Sequence, residues 1–180
     1  MNPPTHDFWI FGYGSLMWNP GFRYRQAAPG LVRGFHRCFC IYSHRYRGTR
    51  DHPGLVLGLD RGGSCRGRAY LVAAADGKAV ADYLHEREMI AAVYNPRWLG
   101  VEIDGRRHPA LAYVADRSHP QYAGKLAPRR IARLIVQGRG IHGSNLDYLV
   151  NTVRHIDELG IADCPLHEIL RLVEKDGAVS

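Results

Sequence analysis

The dipeptide Asp104-Gly105 is the feature that most restricts the fold, because it lies between two apolar segments, residues 99–103 and 109–114. Asp-Gly is favoured in two-residue turns whose central residues have positive φ, and such turns join antiparallel strands. The region is therefore predicted to be a β-hairpin. A hairpin needs further strands or a helix to cover its apolar face, so it is expected to belong to a larger sheet.

Short apolar segments separated by turn residues fill the first two-thirds of the chain. Aromatic, β-branched and cysteine residues are concentrated in segments 8–13, 31–42, 55–59 and 66–72. Such segments are typical of strands, and residues 60–63 (DRGG) are predicted to be a turn between the last two. We expect a mostly antiparallel sheet that curls into a small barrel.

Helical periodicity begins at residue 77 and dominates the C-terminal third. Residues 77–94 are predicted to form the first helix, and a second begins at Pro128, which the first turn of a helix tolerates. Ser144 and Asp147 resemble a capping box at the start of a third helix, and Asp163 can cap a fourth. Strands followed mainly by helices indicate an α+β protein.

The length and composition restrict the class of protein. The chain has 180 residues, of which 46% are hydrophobic and 23% charged, so a single globular domain over residues 1–180 is predicted. No apolar segment approaches the about 20 residues that a membrane-spanning helix needs. Cys38, Cys40, Cys65 and Cys164 lack the spacing of a zinc site, and no signal-peptide pattern is present. These features predict a cytoplasmic protein with reduced thiols and no metal.

The excess of basic residues leaves several partners open. Lys and Arg number 24 against 17 Asp and Glu, which gives a net charge of +7. A basic surface suits nucleic acid, an anionic membrane or a small anionic substrate, although it also maintains solubility without any partner. The basic segment 44–50 contains an aromatic residue, so it fits either RNA or phosphate contacts or a solvated loop.

A carboxylate interrupts the apolar face of the first predicted helix. Four residues recur on that face three or four positions apart: Val80, Leu84, Glu88 and Ala91. Burial of Glu88 would raise its pKa toward the range in which a carboxyl acts as a general base and then as an acid. The alternative is a structural glutamate that is paired with Arg87 or with a distant arginine such as Arg37.

A second candidate site follows the first strand, at Gly14-Ser15. Small residues allow backbone N–H groups to approach a ligand closely, and such a turn can bind an anion. The alternative is an ordinary turn at the end of a strand. The segment matches neither GxGxxG nor GxSxG, so neither a dinucleotide site nor a serine hydrolase is predicted.

Taken in order, seven segments resemble the ChaC-type γ-glutamylcyclotransferases. They are FGYGSLMW (11–18), GFHR (34–37), GT (48–49), PGLV (53–56), GSCRG (63–67), YLHEREM (83–89) and NLDYL (145–149). The resemblance covers about residues 8–175. It implies the α+β fold of that family, a small mixed or antiparallel β-barrel with flanking helices.

The resemblance also implies a reaction and its residues. Glu88 matches the catalytic acid/base of the family. The YGSL loop, which forms much of the γ-glutamyl pocket, falls on Tyr13, Gly14, Ser15 and Leu16. Arg37 and Tyr148 are expected to line the pocket by their positions. In the implied reaction the α-amine of glutathione attacks its own γ-carbonyl, which yields 5-oxoproline and Cys-Gly without a metal or an organic cofactor.

Two alternatives to glutathione degradation remain open at this point. One is a cyclotransferase that acts on other γ-glutamyl amino acids or amines. The other is a basic binding module that has the same fold but no catalytic activity. We expect a small-molecule substrate rather than nucleic acid or a membrane as the partner, and the sequence leaves the oligomeric state open.

Overall fold

Five strands of one barrel and four α-helices account for most of residues 4–88 and 92–177, which the computed structural model describes. The barrel strands are β1 (Phe8–Gly12), β2 (Gln26–Ser43), β3 (Gly54–Val72), β4 (Tyr94–Ile103) and β5 (Arg106–Ala115). The helices are α1 (Gly77–Glu88), α2 (Pro128–Gln137), α3 (Asn145–Glu158) and α4 (Cys164–Gly177). Two short strands, β6 (Arg139–Gly140) and β7 (Gly143–Ser144), form a separate sheet.

The barrel is closed in the order β1-β3-β2-β4-β5. β1 pairs antiparallel with β3, where Phe8 faces Val72, and parallel with β5, where Trp9 faces Ala110. The remaining described pairs, β2 with β4 and β4 with β5, are antiparallel. The predicted α+β class with a small mixed barrel is therefore confirmed.

The predicted hairpin at Asp104-Gly105 is confirmed. Asp104 has φ 49° and Gly105 has φ 72°, the positive values that a two-residue hairpin turn requires at both central positions. The turn joins β4 to β5, whose register runs from Ile103 opposite Arg106 to Tyr94 opposite Ala115.

Two predicted boundaries are wrong. Residues 60–63 do not form a turn, because β3 continues through them; Gly62 and Gly63 adopt φ 102° and 67° within the strand, as in a β-bulge. The first helix does not extend to Tyr94, which begins β4. Residues 89–91, including Ala91 of the predicted apolar face, lie outside the described residues.

The predicted helix starts are confirmed by their caps. Pro128 occupies the first turn of α2. The Ser144 hydroxyl accepts a hydrogen bond from the Asp147 N–H at 3.0 Å, and the Asp163 carboxylate accepts one from the Leu166 N–H at 3.2 Å. Each cap satisfies a backbone N–H that has no partner within its helix.

The chain forms two compact units, Met1–Arg37 with Leu59–Asp116, and Cys38–Gly58 with Arg117–Ser180. In the first unit, side chains of β1, β3, β5 and α1 form an apolar core. In the second unit, the apolar faces of α2, α3 and α4 pack together. The single domain over residues 1–180 stays a prediction. None of the helices in the described ranges has the length and apolar character needed to cross a membrane.

Candidate active site

The loop that follows β1 turns tightly against the end of that strand. Residues Ser15–Met17 form one turn of 3₁₀-helix, and the Gly14 carbonyl accepts a hydrogen bond from the Met17 N–H at 2.8 Å. A Cβ atom at Gly12 would lie 2.9 Å from the Cβ of Leu16, which is closer than side-chain carbons approach. Glycine at position 12 therefore permits the close approach of turn and strand.

Arg37 of β2 holds the start of this loop. One guanidinium nitrogen, Nη1, donates to the Tyr13 carbonyl oxygen at 2.6 Å, and Nη2 donates to the Arg66 carbonyl oxygen of β3 at 3.1 Å. The Arg37 side chain is buried. A buried guanidinium needs such partners, because an unpaired buried charge is strongly unfavourable. Arg37 thus fixes the path of the loop through its main chain.

Tyr70 of β3 holds the next part of the loop. Its hydroxyl lies 2.9 Å from the Leu16 carbonyl oxygen and 2.7 Å from the Met17 carbonyl oxygen. The tyrosine is fully buried, and burial raises its pKa to about 12. The hydroxyl is therefore a neutral donor at physiological pH, and its one proton is shared between the two carbonyls.

Glu88 is the last described residue of α1, and it continues the buried face that begins with Val80 and Leu84. Its side chain is only 16% exposed. Burial raises the pKa of the Glu88 carboxyl, and the positive charge of Arg87 opposes that rise. The charged residues Asp82 and Glu86 of the same helix are exposed.

Arg87 joins the Glu88 carboxylate to the loop after β1. Its Nε atom lies 3.3 Å from Glu88 Oε1, and its Nη2 atom donates to Ser15 Oγ at 2.8 Å. Its Nη1 atom donates to the Asn19 carbonyl oxygen at 2.7 Å and to the Tyr83 hydroxyl at 2.8 Å. The pairing of Glu88 with Arg87 that the sequence left open as a structural alternative is therefore present.

Tyr113 of β5 is a further titratable group that interacts with Glu88. The ring belongs to the buried core beside Leu16 and Leu84. Burial, and secondarily the negative charge of Glu88, raise the pKa of Tyr113 to about 12. The phenol is therefore neutral where the carboxylate titrates.

The first compact unit contains six of the predicted site residues: Glu88, Tyr13, Gly14, Ser15, Leu16 and Arg37. Among them, the Ser15 side chain and the Glu88 carboxylate meet at Arg87, and Arg37 supports the loop at Tyr13. The role of each in binding or catalysis stays a prediction.

Tyr148, the remaining predicted pocket residue, belongs to the second unit. There its ring packs edge-on against Phe39, with centroids 6.1 Å apart, and the Arg47 guanidinium lies 5.3 Å from its centroid. Its predicted contact with substrate stays a prediction.

Sequence reasoning did not identify Tyr70 and Tyr113 as parts of this region, and it considered Arg87 only as a partner of Glu88. A local signal existed for Arg87, because Tyr83 and Arg87 are four residues apart and so adjacent on one helix face. No local signal existed for Tyr70, which lies 54 residues from Leu16 in the chain.

The arrangement suits proton transfer to a ligand that the loop binds. A carboxyl with a raised pKa exchanges a proton more readily near neutral pH than an exposed one does. The 3₁₀ turn leaves its first backbone N–H groups, those of Ser15 and Leu16, without acceptors inside the turn. Such N–H groups can bind a carboxylate or stabilise a developing oxyanion.

Comparison with known proteins relates the chain to one family. The model of the family described as ChaC-like protein matches residues 8–176. The glutathione-specific gamma-glutamylcyclotransferase of Escherichia coli (strain K12) is 36% identical over 174 residues, which are 96% of this chain and 75% of that protein. The glutathione-specific gamma-glutamylcyclotransferase 1 of Mus musculus is 37% identical over 147 residues, 79% of this chain and 66% of that protein.

A solved structure with a similar fold comes from yeast. It is a gamma-glutamyl cyclotransferase specific to glutathione, and it superposes with a TM-score of 0.84 at 22% identity, covering 94% of this chain and 96% of that one. At this level of identity the similarity is one of fold.

Proposed function

The chain belongs to the family of ChaC-like proteins, and on that premise we propose that it is a γ-glutamylcyclotransferase that degrades glutathione to 5-oxoproline and Cys-Gly. The names of the relatives from Escherichia coli and Mus musculus support glutathione as the substrate. One structural observation carries the proposal: the mostly buried carboxylate of Glu88 is connected through Arg87 to the Ser15 loop.

In the proposed reaction Glu88 moves two protons, one after the other, from the attacking nitrogen to the leaving nitrogen. The α-amine of the bound γ-glutamyl group starts as an ammonium ion, which cannot attack a carbonyl. The Glu88 carboxylate takes a proton from it, and the free amine then attacks the γ-carbonyl carbon of the same substrate. A raised pKa brings the basicity of the carboxylate closer to that of the amine, which favours this transfer.

The bond changes balance without water or a cofactor. The new C–N bond closes the five-membered lactam ring of 5-oxoproline, and the amide bond to the cysteine nitrogen breaks. The protonated Glu88 donates its proton to that nitrogen. The attacking nitrogen gives up its second proton to the carboxylate as the lactam N–H forms, and Glu88 passes this proton to the Cys-Gly amine, which leaves as an ammonium ion with the carboxylate regenerated. Because the nucleophile and the electrophile belong to one molecule, the protein mainly holds the γ-glutamyl chain in a folded conformation.

In this proposal the loop after β1 binds the γ-glutamyl group. The N–H groups of Ser15 and Leu16 are the proposed donors to a substrate carboxylate or to the oxyanion that forms on the γ-carbonyl. Arg37 and Tyr70 support that assignment, because they fix the main chain of Tyr13, Leu16 and Met17 through hydrogen bonds to its carbonyl oxygens. A donor held in place before the reaction requires no reorganisation during it.

The test is to incubate the purified protein with reduced glutathione and to measure 5-oxoproline and Cys-Gly by mass spectrometry. Equimolar formation of both products is the expected result. N-acetylated glutathione is the matched control, because its blocked amine cannot attack, and it should remain intact. Oxidised glutathione and γ-glutamyl dipeptides define the specificity. If the protein turned over only the γ-glutamyl dipeptides, the assignment of glutathione as the substrate would be wrong. If it turned over none of these compounds, the proposed reaction would be wrong.

We also propose a cytoplasmic location for this enzyme. Support comes from the four cysteines, Cys38, Cys40, Cys65 and Cys164, all of which are free thiols in the structure. Free thiols are typical of proteins in reducing compartments. Localisation of the tagged full-length chain by fluorescence microscopy tests this proposal.

A further inference from the structure

We propose that Arg87 is a positioning residue of this site: its guanidinium holds the Glu88 carboxylate and the Ser15 loop in one fixed arrangement. The inference rests on the proposed cyclotransferase function, because it assigns Arg87 a role in that reaction. Its structural basis is independent of the substrate, since the contacts involve only side chains and main chain of the first compact unit.

The three guanidinium nitrogens of Arg87 contact different groups. Nε lies against Glu88 Oε1 at 3.3 Å, whereas Nη2 donates to Ser15 Oγ at 2.8 Å. Nη1 donates to the main-chain oxygen of Asn19 at 2.7 Å and lies 3.3 Å from that of Pro20. A planar group with donor nitrogens on three sides can make all of these contacts at once, whereas a lysine ammonium donates its three N–H bonds from a single nitrogen.

The surroundings of Arg87 hold its guanidinium in place. The side chain is only 20% exposed, and the Tyr83 hydroxyl accepts a hydrogen bond from Nη1 at 2.8 Å. Tyr83 is itself confined, because a Cβ atom at Gly21 would overlap its hydroxyl. Gly21 has φ 74°, a conformation that favours glycine. Gly21, Tyr83 and Arg87 therefore pack against one another in one defined arrangement.

The charge of Arg87 also affects the protonation of Glu88, because it opposes the larger effect of burial. Two titratable or charged groups among the described residues interact electrostatically with the carboxylate, Arg87 on the same helix and Tyr113 on β5. Burial raises the pKa of Tyr113 to about 12, so the phenol is uncharged at physiological pH. The guanidinium is thus the charge that lowers the pKa of Glu88 and keeps more of it in the basic form.

The first test needs no enzymatic activity. Carbon-13 NMR follows the titration of the Glu88 carboxyl, and the signal is assigned by its loss in Glu88→Gln. In Arg87→Gln the titration midpoint should move to higher pH. Arg97→Gln, which removes an exposed arginine of β4, is the matched control and should leave the midpoint in place. An unchanged midpoint in Arg87→Gln would overturn the electrostatic part of the proposal.

The second test separates position from charge with Arg87→Lys. The lysine keeps a positive charge, so the Glu88 midpoint should stay close to that of the wild type. It cannot replace the bonds to both Ser15 and Asn19, so kcat/KM should fall by about tenfold or more, mainly in kcat. If Arg87→Gln fails to fold, Arg87→Lys still tests the positioning role of Arg87. Its side chain has only one donor nitrogen, so a kcat/KM equal to that of the wild type would refute this role.

A double-mutant cycle with Ser15→Ala completes the test. If Arg87 acts through Ser15, the loss in kcat/KM of Arg87→Lys should be smaller in the Ser15→Ala background than in the wild type. Fully additive losses would contradict that connection. A wild-type protein that turns over no γ-glutamyl substrate would instead refute the proposed function, and the NMR titration would still decide the influence of Arg87 on Glu88.

Discussion

The Tyr70 hydroxyl donates to the Met17 carbonyl oxygen at 2.7 Å, so a side chain of β3 supports the main chain of the turn after β1. Tyr70→Phe removes this hydroxyl and leaves two buried carbonyls, those of Met17 and Leu16, without their donor. We expect the free energy of unfolding to fall by about 1–3 kcal/mol, as for other unsatisfied buried polar groups. Urea denaturation of the two proteins measures the difference.

Tyr24→Phe is the matched control for Tyr70→Phe. The Tyr24 ring packs on Tyr70 with centroids 4.9 Å apart, but Tyr24 is an exposed residue. Its replacement keeps the ring contact and should change the free energy of unfolding by less than about 0.5 kcal/mol. Equal effects of the two substitutions would show that the bonds of Tyr70 to the loop do not stabilise the fold.

Replacement of Glu88 by glutamine is the direct test of its proposed role as general base. The amide is nearly isosteric with the carboxylate but accepts no proton, so kcat should fall by about 10²–10⁴-fold. Release of 5-oxoproline measures the rate, and circular dichroism verifies the fold. A folded variant with full activity would exclude Glu88 as the base.

The same substitution should stabilise the protein at neutral and alkaline pH. Burial raises the pKa of Glu88 in the folded state, so the folded protein favours the protonated form and loses stability as the pH rises through that pKa. Glutamine does not ionise. The free energy of unfolding of Glu88→Gln relative to wild type should therefore increase as the pH rises from the ordinary carboxyl pKa of 4.5 through the raised folded-state pKa.

Glu86→Gln is the control for this pH dependence. Glu86 is an exposed carboxylate of the same helix, so its replacement should leave the pH dependence of stability close to that of the wild type. A difference between Glu88→Gln and wild type that stays constant with pH would contradict the raised pKa.

Local patterns in the sequence predicted the parts of this protein that depend on neighbouring residues. The turn at Asp104-Gly105 follows from backbone preferences, and the position of Glu88 on the buried face of α1 follows from helical periodicity. The caps at Ser144 and Asp163 have the same origin, because each involves residues only three positions apart.

Contacts between distant residues could not be predicted in this way. Gly62-Gly63 has the pattern of a turn, but these residues lie within β3, which runs without a break from Gly54 to Val72. The bond from Arg87 to Ser15 joins residues 72 positions apart, and the bond from Tyr70 to Leu16 joins residues 54 apart. Such contacts arise from the packing of segments that are distant in the chain, which no local pattern encodes.

Asn145 should be a major source of stability in the second compact unit. Its side-chain oxygen accepts from the Leu55 N–H at 2.5 Å, and its side-chain nitrogen donates to the Leu55 carbonyl at 2.8 Å. Asn145→Ala leaves both buried backbone groups unsatisfied, at a cost of about 1–3 kcal/mol for each. Thermal denaturation should show a clear decrease in Tm. Asn151→Ala, at an exposed position of the same helix, should have little effect.

His167 should make the stability of the protein depend on pH near neutrality. A hydrogen bond from Nδ1 to the Asp163 carbonyl, together with the nearby Asp157 carboxylate, raises the pKa of His167. A raised pKa in the folded state contributes stability below the ordinary value of 6.5, and that contribution is lost as the pH rises through the folded pKa. His167→Gln should remove it.

Urea midpoints of wild type and His167→Gln measured from about pH 5.5 to about pH 8.5 test this expectation. The urea midpoint of the wild type should exceed that of His167→Gln most at the acidic end of this pH range, and the difference should decline toward the alkaline end. Asp157→Asn should reduce this difference in part, because Asp157 accepts from His167 Nε2 at 2.9 Å. Parallel curves for wild type and His167→Gln would rule out the contribution.

Most of the bonds that hold the loop after β1 end on main-chain oxygens. Those of Tyr13, Leu16, Met17 and Asn19 each accept from a side chain elsewhere in the unit, whereas Ser15 and Met17 are also held through their own side chains. Every residue type carries a main-chain oxygen, so these bonds survive a change of side chain. An evolving relative can therefore change the side chains of this loop while the path of its main chain stays the same.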